Sequence, residues 1–174
     1  MQKRFGIITA AVIAAALTLS GCGLGNDDSS SASASCEKGD LATITEGKLT
    51  IATGEPAYYP WVIDDKPESG EGFEGAVAYA VAKQLGFDAA DVTWVRTTFD
   101  SAVTPGKKNF DFNLQQFSIT EDRKKAVDFS SPYYTAPQAI VSFKGSKIEG
   151  KNSLADLKSA KLGAAVGTTS LDAI

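Results

Sequence analysis

The spacing of apolar and polar positions changes character along the chain. From Phe5 to Leu19 almost every side chain is apolar, whereas residues 23–35 are Gly, Asn, Asp, Ser and Ala with almost no bulky apolar group. Beyond Lys48 short apolar runs alternate with helical stripes. Residues 49–52, 92–95, 110–114 and 162–166 read as strands, being brief, β-rich and bounded by turn residues. Residues 76–85 read as a helix, with Val77, Val81 and Leu85 four apart on one stripe and Gly86 as its stop. Shorter helices are predicted over 99–103, closed by Pro105-Gly106, and over 120–126, from Ser153 through Leu157, and from Thr169 onward. Residues 133–143 are extended and mostly apolar. Strands alternating with helices at this spacing predict parallel βαβ units and an α/β fold.

The first apolar run has the layout of a secretory signal, with Lys3 and Arg4 ahead of it and Ser20 and Gly21 behind. At about 15 residues it falls short of the roughly 20 that a membrane-spanning helix needs. Leu19-Ser20-Gly21-Cys22 resembles the lipobox of bacterial lipoproteins, which implies a signal peptide over 1–21 and a lipidated Cys22. More than one acyl chain gives stable anchoring, so the mature protein is expected to sit on a membrane, extracytoplasmically, without crossing it. Residues 22–45 then form a flexible tether, too polar to offset the entropy of ordering, and the roughly 19 residues between Cys22 and Leu41 have a typical span of about 25 Å. Cys36 is the remaining cysteine, so with Cys22 lipidated no internal disulfide forms within this sequence.

Composition narrows the function. The net charge of −4 and the absence of a basic stripe argue against nucleic acid as a partner. The chain has no histidine, which removes Ser-His-Asp triads, Cys-His dyads and the usual zinc sites. No metal site and no cofactor are expected. Gly70-Glu71-Gly72-Phe73-Glu74-Gly75 matches a dinucleotide-binding fingerprint, but it follows a polar Pro67 loop instead of a strand. Glu68, Glu71 and Glu74 would also repel a pyrophosphate, so the segment reads as a loop feeding a helix.

Ser118-Ile119-Thr120-Glu121-Asp122-Arg123 is the more informative run. A helix start offers unpaired N–H groups, and a guanidinium fork can hold a carboxylate through two parallel hydrogen bonds. The bland alternative is an arginine on a solvated face beside Glu121, Asp122, Lys124 and Lys125.

Several runs occur together in a recognisable order: Ile51 to Trp61, Gly72-Phe73-Glu74, Phe110-Asp111, the Ser118 to Arg123 run, Asp128-Phe129-Ser130-Ser131-Pro132-Tyr133-Tyr134, Ser153-Leu154-Ala155-Asp156-Leu157 and Gly167-Thr168-Thr169. In this the chain resembles the family 3 bacterial extracellular solute-binding proteins, the amino-acid receptors of ABC importers. The resemblance implies a type II periplasmic-binding fold: a first lobe over 46–140, then a hinge crossover and the start of a second lobe over 141–174. With Leu171 and Ile174 opening a helical stripe that stops uncapped, the sequence reads as a piece of a longer protein with its second lobe truncated.

The resemblance further implies that Arg123 and Ser118 grip a ligand carboxylate, with Thr168 and Thr169 reaching it from the second lobe. Tyr58 matches an aromatic that covers the ligand, Phe99 an opposing apolar wall, and Glu55 an acidic position near the side chain of cationic ligands. Gln115 and Gln116 replace small residues, so Gln116 is counted among the candidate ligand contacts. The implied function is extracytoplasmic binding of an amino acid or similar small carboxylate by a monomer, with delivery to an ABC permease and its ATPase. The alternatives are a cyclohexadienyl-dehydratase-like enzyme and a non-transport sensor on the same fold.

Overall fold

The computed structural model describes residues 37–174. The predicted signal segment, Cys22, Cys36 and most of the predicted tether lie outside the described residues. The centre is a three-stranded parallel sheet of order β2-β1-β3. Strand β1, Leu49–Gly54, is buried at all six positions, as a central strand covered on both faces must be. Strand β2, Val92–Thr97, runs beside it from Leu49 opposite Val92 to Gly54 opposite Thr97. On the other side β3, Phe112–Asn113, pairs with Ile51 and Ala52. The parallel α/β reading of the sequence therefore holds.

Helix α1, Phe73–Gln84, connects β1 to β2 and begins three residues before the predicted start. The reason is non-local. The first-turn N–H groups of Phe73, Glu74 and Gly75 donate to the carbonyls of Pro60 and Trp61, at 3.1, 2.9 and 3.3 Å, which satisfies donors that a helix start normally leaves open. Gly72, at φ 94°, makes this possible, because a Cβ there would lie 2.5 Å from the Trp61 carbonyl oxygen. The stop at Gly86 is as expected: its N–H reaches Lys83 O at 3.1 Å and that of Phe87 reaches Ala82 O at 2.9 Å, a Schellman closure.

The buried stripe of α1 differs from the predicted one. Glu74, Ala78 and Ala82 face inward, whereas Val81 is exposed, and Val77 and Leu85 pack only at the margin. Alanines admit the helix closer to the sheet than valines would, and a shift of one residue turns the face by about a quarter turn. The core that results joins Leu49, Ile51, Ala78, Ala82, Phe87 and Leu114.

Helix α2, Phe99–Val103, matches its predicted bounds and is capped by the Thr98 side chain, which accepts from Ser101 N. β3 is shorter than the predicted 110–114, although Asp111 N still donates to Thr50 O at 2.8 Å and Leu114 N to Ala52 O at 3.0 Å. Helix α3, Glu121–Lys124, is likewise shorter than predicted and is capped by Thr120. The helix predicted at Ser153 is a 3-10 turn, Leu154–Leu157, capped by Ser153. Helix α4, Thr169–Asp172, follows Thr168 as its cap.

One expectation fails: residues 162–166 form no strand. Residues 133–143 are without helix, in keeping with the extended reading, and join no sheet. A strand needs a neighbour to accept its hydrogen bonds, and among the described residues none runs alongside either segment. Val141, Phe143 and Val166 are consequently more than four-fifths exposed. Among the described residues no helix is long and apolar enough to cross a membrane.

The start of the described chain is pinned electrostatically. Lys38 Nζ and Lys48 Nζ meet the two Asp91 oxygens at 2.5 and 3.0 Å, and Lys38 also lies over the Phe87 ring. The hydrogen bond from Lys38, followed by that from Lys48, lowers the Asp91 pKa from 3.8 to about 2. A depressed carboxylate pKa stabilises the fold above the unfolded value and ceases to do so as pH falls through the folded one. Asp91→Asn should therefore lower the melting temperature at pH 7, and the difference from the unaltered protein should shrink between about pH 4 and pH 2. A difference of the same size at both ends of that range, measured by circular dichroism, would contradict the pairing.

Candidate functional site

The run from Ser118 to Lys125 folds back on itself because Thr120 caps α3, its side chain accepting from Arg123 N at 3.2 Å. This single turn sorts its charges. Glu121 pairs with Lys124 at 2.8 Å and Asp122 with Lys125 at 2.6 Å, each three residues apart on the exposed side. The Lys125 ammonium holds the Asp122 carboxyl below its ordinary range. Arg123 points elsewhere and, among the described residues, has no carboxylate partner.

Backbone carbonyls hold it instead. Nη1 donates to Ser118 O at 2.7 Å and Nη2 to Gly167 O at 2.8 Å. The guanidinium carbon lies 5.2 Å from the centre of the Phe99 ring and 5.7 Å from that of Phe117, and the two rings are 4.3 Å apart. Carbonyls and ring faces orient a cation without neutralising it. An arginine carries five N–H donors, so donors remain for an anion.

Thr169 comes to the same place. Its Oγ1 lies 3.1 Å from Ser118 Oγ and accepts from Gln138 Nε2 at 3.3 Å, while Gln138 Oε1 accepts from Ser170 Oγ at 2.9 Å. Thr168 sits alongside in a capping role, accepting from Leu171 N and donating to Ala165 O at 2.7 Å. The structure thus brings Arg123, Ser118, Phe99 and Thr169 together, with Thr168 adjacent. Helices α3 and α4 are only single turns, so the expected help from helix dipoles reduces to the few N–H groups their caps leave open.

Gln116 is placed differently from a side chain reaching toward ligand. Its backbone N–H and its Nε2 both donate to the buried carboxylate of Glu74, and its backbone is left-handed at φ 50°. Glu55 and Tyr58 lie on the loop after β1, exposed, and no hydrogen bond or ring contact joins them to the Arg123 group. That loop is tied down by Asp65, whose Oδ1 accepts from Ala57 N at 2.8 Å and from Arg96 Nη1 at 2.5 Å. The Ala57 amide and then Arg96 hold the Asp65 carboxyl below its ordinary range. A groove of about 1230 Å³ counts Phe112, Leu114, Phe117 and Ser118 in its walls, but not Arg123 or Thr169. The polar group therefore lies beside this groove.

Phe117, Gly167, Gln138, Glu74 and Tyr133 were not among the candidates drawn from the sequence. Phe117 was within reach of local reasoning, since it adjoins Ser118. Gly167 contributes a carbonyl, which no side-chain pattern reveals. Among the described residues no cluster of Cys, Asp or Glu is suited to a metal ion.

The sheet and the turn at Thr120 thus leave one guanidinium, Arg123, held by two backbone carbonyls and two rings and, among the described residues, not paired with a carboxylate. Residues 49–173 match the family described as bacterial extracellular solute-binding proteins, family 3, and the chain belongs to that family. It is 34% identical over 97% of its length to the arginine-binding extracellular protein ArtP of Bacillus subtilis, covering 57% of that protein. It is 29% identical over 74% of its length to an L-arginine-binding protein of Pseudomonas aeruginosa, covering 48% of it. The ABC transporter glutamine-binding protein GlnH of Bacillus subtilis is 36% identical over 60% of the chain, which covers 38% of it. The chain spans about half the length of the curated relatives it matches. No solved structure gives a significant match.

Gly167 offers a direct check on the assembly. It sits at φ +75°, and a Cβ on it would lie 3.0 Å from Asp100 Oδ1. Gly167→Ala should cost about 1 to 2 kcal/mol, the usual cost of a left-handed backbone with a side chain, read by urea unfolding. An unaltered unfolding midpoint would show that this turn is not held as described.

Proposed function

We propose that the protein carrying this chain binds an amino acid, or a similar small carboxylate, outside the cytoplasm and delivers it to the permease and ATPase of an ABC importer. One observation carries this reading: Arg123 is oriented by two carbonyls and two rings yet lacks an anionic partner among the described residues. A half-buried cation favours a counter-charge, and a ligand carboxylate supplies one. The hydroxyls of Ser118 and Thr169 share one hydrogen bond at 3.1 Å, which leaves the other O–H to donate to the same carboxylate. The names of the relatives, arginine-binding and glutamine-binding, support an α-amino acid.

In this reading residues 46–140 belong to the first lobe of a type II periplasmic-binding fold, and residues 141–174 pass through the hinge into the second. Ligand caught on Arg123 and Ser118 gains Thr169, with Thr168 behind it, when the lobes close. Contacts made only in the closed state shift the population toward closure. Phe99 walls the ligand, Tyr58 covers it, and Glu55 faces the side chain of a cationic ligand. Gln116 enters through Glu74 and not by direct contact. Lipidation at Cys22 would keep the protein on the membrane beside its permease. Family members and these relatives are named as binding proteins, in keeping with binding and release without turnover.

Removing one partner of a charged, hydrogen-bonded pair costs about 2 to 5 kcal/mol. Arg123→Ala in the intact protein should weaken amino-acid binding roughly 30- to several thousand-fold by calorimetry. Arg123→Lys should recover little, because an ammonium lacks the planar fork. An unchanged dissociation constant for either variant would remove the assigned role.

A further inference from the structure

Glu74 stands out as a carboxylate only 1% exposed in the first turn of α1. Its Oε1 accepts from Gln116 N at 2.8 Å and from the Tyr133 hydroxyl at 2.5 Å, and its Oε2 accepts from Gln116 Nε2. These three donors belong to two residues, Gln116 and Tyr133, on two chain segments. Gln116 lies two residues before Ser118, whose carbonyl holds Arg123 Nη1 and whose hydroxyl meets Thr169. Tyr133 opens the segment that carries Gln138, the residue hydrogen-bonded to Thr169 and Ser170. Two of the paths that lead from the sheet to residues 167–170 thus pass through one buried carboxylate.

The backbone shows why such a fixture is needed. Gln116 is a non-glycine residue at φ 50°, a conformation disfavoured by roughly 1 to 2 kcal/mol. It persists where the surroundings over-determine it, and Glu74 holds it at both the N–H and the side-chain amide. This left-handed residue redirects the chain after β3, where Phe117 and Ser118 go on to meet Arg123. Tyr133 is fixed as well: burial, then its bond to Glu74, raises its hydroxyl pKa above the ordinary value. Its ring stacks on Phe73 at 6.2 Å, which ties it a second time to the first turn of α1.

We propose that Glu74 is a positioning residue for the solute site, setting through Gln116 and Tyr133 the two chain segments that present Ser118, Arg123 and Thr169. This rests on the solute-binding reading above. Glu74 does not touch the Arg123 group, and its effect reaches ligand only through the segments it holds.

The chemistry gives the role a signature. In Glu74→Gln the carboxylate charge that strengthens all three hydrogen bonds is lost, and one acceptor oxygen becomes an NH₂ that faces the Gln116 Nε2 donor unless that amide turns over. Exchanging the pair, Glu74→Gln with Gln116→Glu, restores complementarity: the new amide oxygen accepts from the backbone N–H and from Tyr133, and its NH₂ donates to the carboxylate at 116. In the intact protein, titrated with L-arginine, L-glutamine and L-histidine, Glu74→Gln should weaken binding of the preferred amino acid about tenfold or more, and the exchanged pair should return to within about threefold of the unaltered protein. The Arg123 Nε–H resonance should move in Glu74→Gln and return in the exchanged pair, which a general loss of stability would not produce. Tyr133→Phe, a milder change, should weaken binding about threefold or more and serves where Glu74→Gln does not fold. Binding of Glu74→Gln and Tyr133→Phe at unaltered affinity, with Arg123→Ala defective, would overturn the positioning role and leave the proposed function standing. An exchanged pair no better than Glu74→Gln would overturn it too. Normal binding by Arg123→Ala would remove the solute-binding reading and this inference together.

Discussion

A guanidinium with carbonyl partners but, among the described residues, no carboxylate partner organises the region around residues 118–169. Arg123 touches Ser118 O and Gly167 O, two points far apart in sequence, and rests against Phe99 and Phe117. Each contact restricts where the cation points, and none cancels its charge. The acids next to it are occupied, Glu121 by Lys124 and Asp122 by Lys125. Such exposed pairs contribute little to stability. Their consequence lies in specificity, because they occupy the two acids nearest to Arg123 in sequence.

The sheet prepares this arrangement. Burying β1 at every position fixes the ends of all three strands, and the loops leaving those ends carry the polar chemistry. Thr98 caps α2 and so sets Phe99; Gln116 turns the chain after β3 and so sets Phe117 and Ser118; Thr120 caps α3 and so sets Arg123. Three short turns, each closed by a side chain or by Glu74, convert a rigid core into a constellation around one charge.

Local physics was readable in the sequence, and non-local physics was not. The bounds of α2 and the Gly86 stop of α1 follow from residues within a turn of each other. The start of α1 depends on carbonyls of Pro60 and Trp61, which no helical pattern foretells. Val77 and Val81 suggested the wrong face because apolarity was weighed above size, and the sheet instead took the alanines. Residues 162–166 have strand composition but, among the described residues, no strand to pair with. The grouping of Ser118, Arg123 and Thr169 was legible from their runs and from family resemblance. Glu74, by contrast, read only as part of a loop feeding a helix, and the fold reveals that it is buried and bonded to Gln116 and Tyr133.

The central claim is that Arg123 receives the ligand through a carboxylate. The most direct measurement compares binding of L-arginine with that of agmatine, which lacks only the carboxylate, and of L-glutamine with its carboxamide, by calorimetry on the intact protein. The account predicts that removing or neutralising the carboxylate weakens the preferred ligand at least a hundredfold, within the cost of an unpaired charged partner. Equal affinity for the acid and its carboxylate-free counterpart would contradict it.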